Sequence, residues 1–582
     1  MTFLPTRVAH ALAWPLMGLL MAGCGSGRPG VHDTSSSTAG PLPQLGPASP
    51  GRLQACESLA QSMAYPHTVI TAATRVPAER LKVAGAEVGE HCLVTGRMFD
   101  RVSPVDGERY AIGFEMRLPV QWNGRFFYQA NGGTDGNVVP ATGEIGGGGP
   151  LTNGLREGFA VLSSDAGHSS NQNPLFGLDP QARLDYGYQA VGKLTPMAKA
   201  MIRAAYGRPA DRSYMVGCSN GGRHALVAAS RYAGEYDGIL AGNPGFQLPR
   251  SGVAMIHTAQ QFSRVATDPA NLATAFTPAE RALVARTILD KCDALDGARD
   301  GQVNAIAACR QQFDLVREVP SCRGARDGQC LTDNQKQALA SVYRGPQDSR
   351  GRALYAAFPY DPGLTSANWA QWRFAFPLTL SAGNMAVLFR TPPAPAEVLK
   401  NRAAFALGFD MDRDAPLIEA TDARYTESAM AFMAPPHATD LRALRGRGAK
   451  LIVYHGMADG TFSPLDTARW YDELRAASGP AEAADFSRLF LVPGMAHCGA
   501  GPATDQFDLL GALVAWVERG QPPDGVVAQA RGPGNAGGAN ADVPADWSPT
   551  RTRPLCAFPA FAQYKGQGSL ERADSFVCRA AD

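Results

Sequence analysis

Ser213-Tyr214-Met215-Val216-Gly217-Cys218-Ser219-Asn220-Gly221-Gly222 is the stretch that decides the fold. Four residues suited to a short buried strand run straight into G-x-S-x-G, and a helical pattern over 222–232 begins at once. A strand that turns this sharply into a helix lifts the central hydroxyl clear of the sheet, and it needs small residues on both sides of the turn. In a chain with 63 glycines such a pentapeptide also arises by chance, so its meaning comes from lying between strand and helix.

Working outward, apolar runs suited to parallel strands recur at 125–130, 159–163, 214–217, 237–241, 450–454 and 488–492. Helical patterns such as 187–206 and 467–477 lie between several of them, which is the rhythm of an α/β fold built on a doubly wound sheet. From about 246 to 438 the rhythm stops. Four cysteines, Asp-Gly turns, Pro-rich segments and helical stretches such as 278–294 take its place, so this region is expected to be an inserted lid domain. The expected plan is an export signal over 1–23, a flexible tether over 24–51, an α/β-hydrolase core over 52–245 and 439–582, and the lid over 246–438.

A nucleophilic serine needs an imidazole base and a carboxylate that fixes its tautomer. In α/β hydrolases they follow in chain order serine, acid, histidine, in turns after later strands. The turn after 450–454, His455-Gly456-Met457-Ala458-Asp459-Gly460, delivers Asp459, with Asp466 as the alternative acid. The turn after 488–492, Pro493-Gly494-Met495-Ala496-His497-Cys498, delivers His497, with His455, His168 and His224 as competitors. An oxyanion hole needs two backbone N–H groups. Asn220 follows the serine, and Asn131-Gly132-Gly133-Thr134-Asp135-Gly136 follows an earlier strand, which makes Gly133, or Gly132 beside it, the second donor.

At 582 residues, 45% apolar and 18% charged, the chain buries a large core and exceeds one simple domain. A net charge of +1 without basic blocks offers no electrostatic footprint for nucleic acid, and no interior run is long enough to span a bilayer. The expected partner is a small molecule; the residues set no oligomeric state. Arg7, the apolar residues 11–20 and Met21-Ala22-Gly23-Cys24 read as an export signal ending in a lipobox, so Cys24 is the expected outer-membrane lipid anchor; an ordinary signal peptide cut nearby is the alternative. The chain is thus expected to be periplasmic or extracellular.

Eleven cysteines in an exported chain point to disulfides. Setting Cys24 aside, proximity suggests Cys56 with Cys92, Cys292 with Cys309, Cys322 with Cys330 and Cys556 with Cys578. Cys218 and Cys498, beside the candidate serine and histidine, are left over; spacing does not fix the connectivity. Residues 292–302 place Asp293, Asp296 and Asp300 among glycines, a loop of hard oxygen donors that suits Ca²⁺, although the spacing departs from an EF-hand and solvated Asp-Gly turns read equally well.

These residues resemble the tannase and feruloyl esterase family. The resemblance is carried by Cys218-Ser219, Asp459 and His497-Cys498, and by Trp122-Asn123-Gly124-Arg125-Phe126-Phe127, the tract 177–185, the loop 292–301, Tyr454-His455-Gly456-Met457, the tract 489–495 and Arg553-Pro554-Leu555-Cys556. It spans nearly the whole chain after the tether. It implies a serine esterase with nucleophile Ser219, base His497, acid Asp459, oxyanion donors Gly133 and Asn220, and a disulfide joining Cys218 to Cys498. It also implies a structural Ca²⁺ on the Asp293, Asp296 and Asp300 side chains with the Ala298 and Gln302 carbonyls. The substrate contacts it implies are Leu248, Trp372, Ser381 and Phe462. The expected activity is hydrolysis of aromatic acid esters such as terephthalate monoesters, with plant phenolic esters as the alternative and a non-catalytic surface binding protein as a second. Where the terephthalate branch carries an arginine for the substrate's free carboxylate, Phe376 or a neighbour stands here, which leaves Arg373 or Arg390 to replace it.

Overall fold

The nine-stranded sheet at the centre of the molecule owes its parallel half to the apolar runs. The structure is a computed structural model and describes residues 42–580. The expected export signal, Cys24 and the tether up to residue 41 lie outside the described residues.

In chain order the strands are β1 (Thr68–Val76), β2 (His91–Val102), β3 (Arg109–Pro119), β4 (Arg125–Ala130), β5 (Ala160–Ser164), β6 (Arg212–Cys218), β7 (Gly238–Gly242), β8 (Lys450–Gly456) and β9 (Ser487–Val492). Their order across the sheet is β9-β8-β7-β6-β4-β5-β3-β2-β1. From β9 to β5 all neighbours are parallel, and β3, β2 and β1 extend the sheet as an antiparallel limb. The expected doubly wound core is present, with helices on both faces, and the antiparallel limb makes the sheet as a whole mixed. The limb carries no continuous apolar run because β2 alternates buried and half-buried positions along its length, the mark of a strand with only one fully covered face.

The parallel strands are buried on both sides, and their side chains sort by the period of two. Met215, Ile239, Leu451 and Leu489 pack against the helices α1 (Ala190–Tyr206) and α2 (Asn220–Arg231). Tyr214, Val216, Leu240, Ile452 and Phe490 face the opposite layer, where a later helix, Leu509–Arg519, contributes Leu509, Leu513 and Trp516.

No sheet strand lies between β7 and β8. That segment is largely helical and begins with α3 (Leu248–Ser263) and α4 (Pro278–Cys292). Thr277 and Glu280 start α4 with reciprocal caps. The insertion's apolar core of Val253, Phe262, Ile288, Phe389 and Phe432 also takes in Phe176 and Tyr186 from ahead of α1, so the insertion is built onto the sheet layer. Among the described residues, no helix is long and apolar enough to cross a membrane.

Five disulfides join Cys56–Cys92, Cys218–Cys498, Cys292–Cys309, Cys322–Cys330 and Cys556–Cys578. The expected tether needs a correction at its end, because residues 42–51 lie against the body. Ser49 N–H donates to Asp211 at 2.7 Å, Ala48 N–H to Glu518 at 2.9 Å, and Gly51 pairs with Trp122. Their polar, Pro-rich composition hid this because the attachment relies largely on hydrogen bonds, with Leu45 as the apolar side chain packed against the core.

Candidate active site

At the end of β6 the chain turns through Ser219 with φ +66° and ψ −124°, a left-handed conformation that costs energy in a non-glycine residue. The glycines on either side have no room for a side chain: a Cβ at Gly217 would stand 2.5 Å from the Ala130 carbonyl oxygen, and one at Gly221 would stand 2.2 Å from it. This close approach to the end of β4 is why the turn demands small residues.

The serine hydroxyl meets His497 Nε2 at 2.8 Å, and His497 Nδ1 meets Asp459 Oδ2 at 2.8 Å. Ser219, His497 and Asp459 are all buried. The Cys218–Cys498 disulfide joins the residue before the serine to the residue after the histidine, across 280 positions of sequence. Of the competing groups, Asp466 is paired with Arg469 and does not reach His497. His168 stacks on Phe176, His455 bonds Thr467 and Asp459, and none of them touches Ser219. His224 is buried and bonds Asp135 at 2.9 Å.

Asp459 is held from several sides. Its Oδ1 accepts the N–H groups of Thr461 at 2.8 Å and Phe462 at 3.0 Å, and its Oδ2 accepts Asn243 Nδ2 at 2.8 Å and faces His455 Nε2 at 3.2 Å. Burial alone would raise this carboxyl; facing His497 and bonding His455 hold it well below the usual carboxylate range. It is thus charged and fixed where it orients the imidazole. Asn243 and His455 were not singled out from sequence for this task. Asn243 closes β7 with φ +37°, so an Asn just past a parallel strand, ahead of Pro244-Gly245, was the available signal.

Two cavities open from the serine. The outer, of about 400 Å³, is lined by Gly132, Gly133, Asp135, Glu144, Ser219 and His497 among others. The inner, of about 40 Å³, brings together all four expected contacts, Leu248, Trp372, Ser381 and Phe462, with Met255, Asn384 and Phe389. Trp372 borders both and lays its ring edge-to-face on His497, centroids 4.6 Å apart. Asn220 opens α2, so its N–H has no intrahelical acceptor. Gly133, at φ +67°, donates its N–H to no group among the described residues. Both expected oxyanion donors therefore remain available beside the serine.

A family model described as tannase and feruloyl esterase matches residues 92–579. The chain belongs to the tannase and feruloyl esterase family. It is 39% identical to mono(2-hydroxyethyl) terephthalate hydrolase of Piscinibacter sakaiensis, over 90% of this chain and 92% of that one. A probable feruloyl esterase of Arthroderma benhamiae is 28% identical, over 81% of this chain and 83% of that one. The crystal structure of feruloyl esterase B from Aspergillus oryzae superposes with a TM-score of 0.70 at 22% identity, covering 90% of this chain and 99% of that one, so the fold is shared within the family.

Neither arginine raised as a carboxylate partner reaches the cavities, which among the described residues no lysine or arginine lines. Arg373 is buried, donates to Thr258 Oγ1 at 3.0 Å and lies 4.1 Å over the Phe358 ring. Arg390 donates to the Pro392 carbonyl and sits 3.8 Å from Asp414. Phe376 packs against Trp372. Local sequence could not settle this, because the direction of each side chain is set by the turn of the chain that carries it.

The Asp-rich loop buries all three carboxylates. Asp300 pairs with Arg553, and Asp296 accepts Asn304 Nδ2 at 2.7 Å. Burial pushes Asp296 up to about 7, reinforced by its acidic neighbours. Among the described residues, no three acidic, His or Cys side chains converge as a metal cage by themselves. The loop nonetheless leaves other oxygens unused: Gln302 Oε1 is buried without a partner, and the carbonyls of Ala298 and Gln302 accept no protein hydrogen bond among the described residues. Three buried carboxylates against one arginine, beside orphan oxygens, form a donor set that suits a hard divalent cation.

Proposed function

We propose that this protein is an exported serine carboxylic ester hydrolase acting on esters of aromatic acids. The observation that carries the reading is the unbroken chain of 2.8 Å contacts from Ser219 through His497 to Asp459. Ser219 attacks the ester carbonyl as His497 takes its proton; the Asn220 and Gly133 N–H groups receive the developing oxyanion; His497 returns the proton to the departing alcohol. Water, activated by His497, then releases the acid and frees Ser219. A binding protein without turnover would not need a charged, four-fold supported Asp459 behind its histidine.

Leu248, Phe462 and Trp372 supply the apolar walls for an aromatic acyl group, with the Ser381 hydroxyl within the same cavity. The reported relatives point to two kinds of substrate, terephthalate monoesters and ferulate esters. A specific observation favours the second: a free carboxylate taken into the inner cavity would lose water without meeting a cation. With one preparation and matched alcohols, kcat/KM for ferulate or gallate esters is expected to equal or exceed that for the terephthalate monoester. A tenfold preference for the terephthalate monoester would show that Ser381 and Asn384 suffice to hold the carboxylate. No hydrolysis of any aromatic ester would reject the function.

A structural Ca²⁺ is assigned to Asp293, Asp296 and Asp300, the Ala298 and Gln302 carbonyls, and the loop's remaining oxygens. When bound it would neutralise the buried charge and stiffen the base of the insertion, with no part in the ester chemistry. Excess EDTA is expected to lower Tm by several degrees, with full recovery on adding Ca²⁺ but not K⁺. Unchanged Tm and no bound calcium by elemental analysis would reject the site. The Cys24 anchor is likewise part of the proposed reading, tested by whether a Cys24→Ala precursor loses detergent-phase partitioning.

A further inference from the structure

The two N–H groups proposed for the oxyanion come from different parts of the chain, Gly133 from the loop after β4 and Asn220 from the first turn of α2. One side chain ties these parts together. Asp135 Oδ2 accepts Asn220 Nδ2 at 2.7 Å and is hydrogen-bonded to His224 Nε2 at 2.9 Å. Asn220 Oδ1 in turn accepts Arg223 Nε at 2.6 Å and the Tyr186 hydroxyl at 3.3 Å. Arg223 donates onward to the carbonyls of Gly187 at 2.8 Å and Tyr186 at 3.0 Å. All five side chains are buried. The loop they hold is strained: Asp135, a non-glycine residue, sits at φ +53° between Gly133 at +67° and Gly136 at +94°. A loop in this conformation stays put only when its surroundings fix it, and the carboxylate of Asp135 reaches across to α2 to do so. Burial raises this carboxyl, opposed by the facing Arg223 and the Asn220 amide.

We propose that Asp135 is a positioning residue for the oxyanion hole, a buried clasp that keeps the Gly133 and Asn220 N–H groups in register. The proposal rests on the reading of Ser219 as nucleophile. Asp135 touches no reacting atom; it acts through the two backbone donors. Its effect therefore belongs to the transition state, where the oxyanion forms, and not to ground-state binding.

Asp135→Ala is expected to lower kcat for p-nitrophenyl acetate by roughly 10- to 100-fold, short of the full loss of a donor, with KM changed less than about threefold. 1,1,1-Trifluoroacetophenone, whose serine adduct places an oxyanion in the hole, should lose affinity by the same factor. Asn220→Ala keeps its backbone N–H but loses the tie, so it should match Asp135→Ala, and the double variant should add little. If Asp135→Ala does not fold, Asp135→Asn, which keeps one acceptor oxygen, should show a smaller loss with ketone affinity and kcat falling together.

Unchanged ketone affinity, a loss confined to Tm, or fully additive effects of the two substitutions would overturn the clasp. Labelling of Ser219 by a fluorophosphonate separates the two levels. No label in the parent protein removes the nucleophile and the clasp with it, whereas normal labelling with unaltered ketone affinity in Asp135→Ala removes the clasp alone.

Discussion

Ser219→Ala is expected to lower kcat for p-nitrophenyl acetate by at least about ten-thousand-fold while leaving Tm within a few degrees of the parent. The hydroxyl accounts for the first: among the described residues it is the side-chain hydroxyl in hydrogen-bond contact with His497, and a water in its place lacks both its fixed position and its covalent intermediate. The small effect on Tm follows from what the hydroxyl does in the fold. Ser219 makes no cap bond to α2, and among the described residues its side-chain partner is His497, which Asp459 continues to hold. Residual activity near the parent's would mean that another group attacks the ester. Steady-state kinetics together with a melting curve decide the matter, since a misfolded variant would lose both.

Replacing both Cys218 and Cys498 by alanine has the next largest effect. The disulfide closes a loop of 280 residues, and loop-closure entropy at that length amounts to roughly 5–6 kcal/mol in the chain-entropy model. The realised loss is expected to be smaller, about 2–4 kcal/mol, because the unfolded chain is more compact than a random coil and already loses part of that entropy. Activity should fall as well. The turn carrying His497 has left-handed φ at Cys498 and Ala500, and the disulfide anchors that turn to the residue before Ser219. A kcat loss of at least tenfold in protein that is still folded, measured well below its Tm, is the expected signature. Parent-like kcat in the double variant would show that the packing of β8 and β9 alone sets the serine–histidine distance.

The parallel strands and the serine–acid–histidine constellation were legible because each leaves a local mark. A continuous apolar run marks a strand covered on both faces, and small residues mark a turn that touches its neighbour's backbone. Ser219, Asp459 and His497 each follow such a run within a few residues. What sequence did not reveal depends on directions set elsewhere. The antiparallel limb alternates its burial and so lacks apolar runs. Arg373 is a cation in the expected segment, yet it points into the packing around Phe358 and Thr258. Asn243 and Asp135 reach Asp459 and Asn220 across 216 and 85 residues of sequence, so only the folded chain brings them together. His455 stands four residues before Asp459, close in sequence, but nothing in the local pattern tells which way its ring points.

Rapid acid quench of the protein with a slowly deacylating p-nitrophenyl ester of an aromatic acid tests the core of this account. The prediction is a burst of one p-nitrophenol per chain and an acyl mass increment on the peptide that contains Ser219, both absent in Ser219→Ala. A stoichiometric adduct on any other residue, or rapid turnover with no acyl-protein formed, would contradict it.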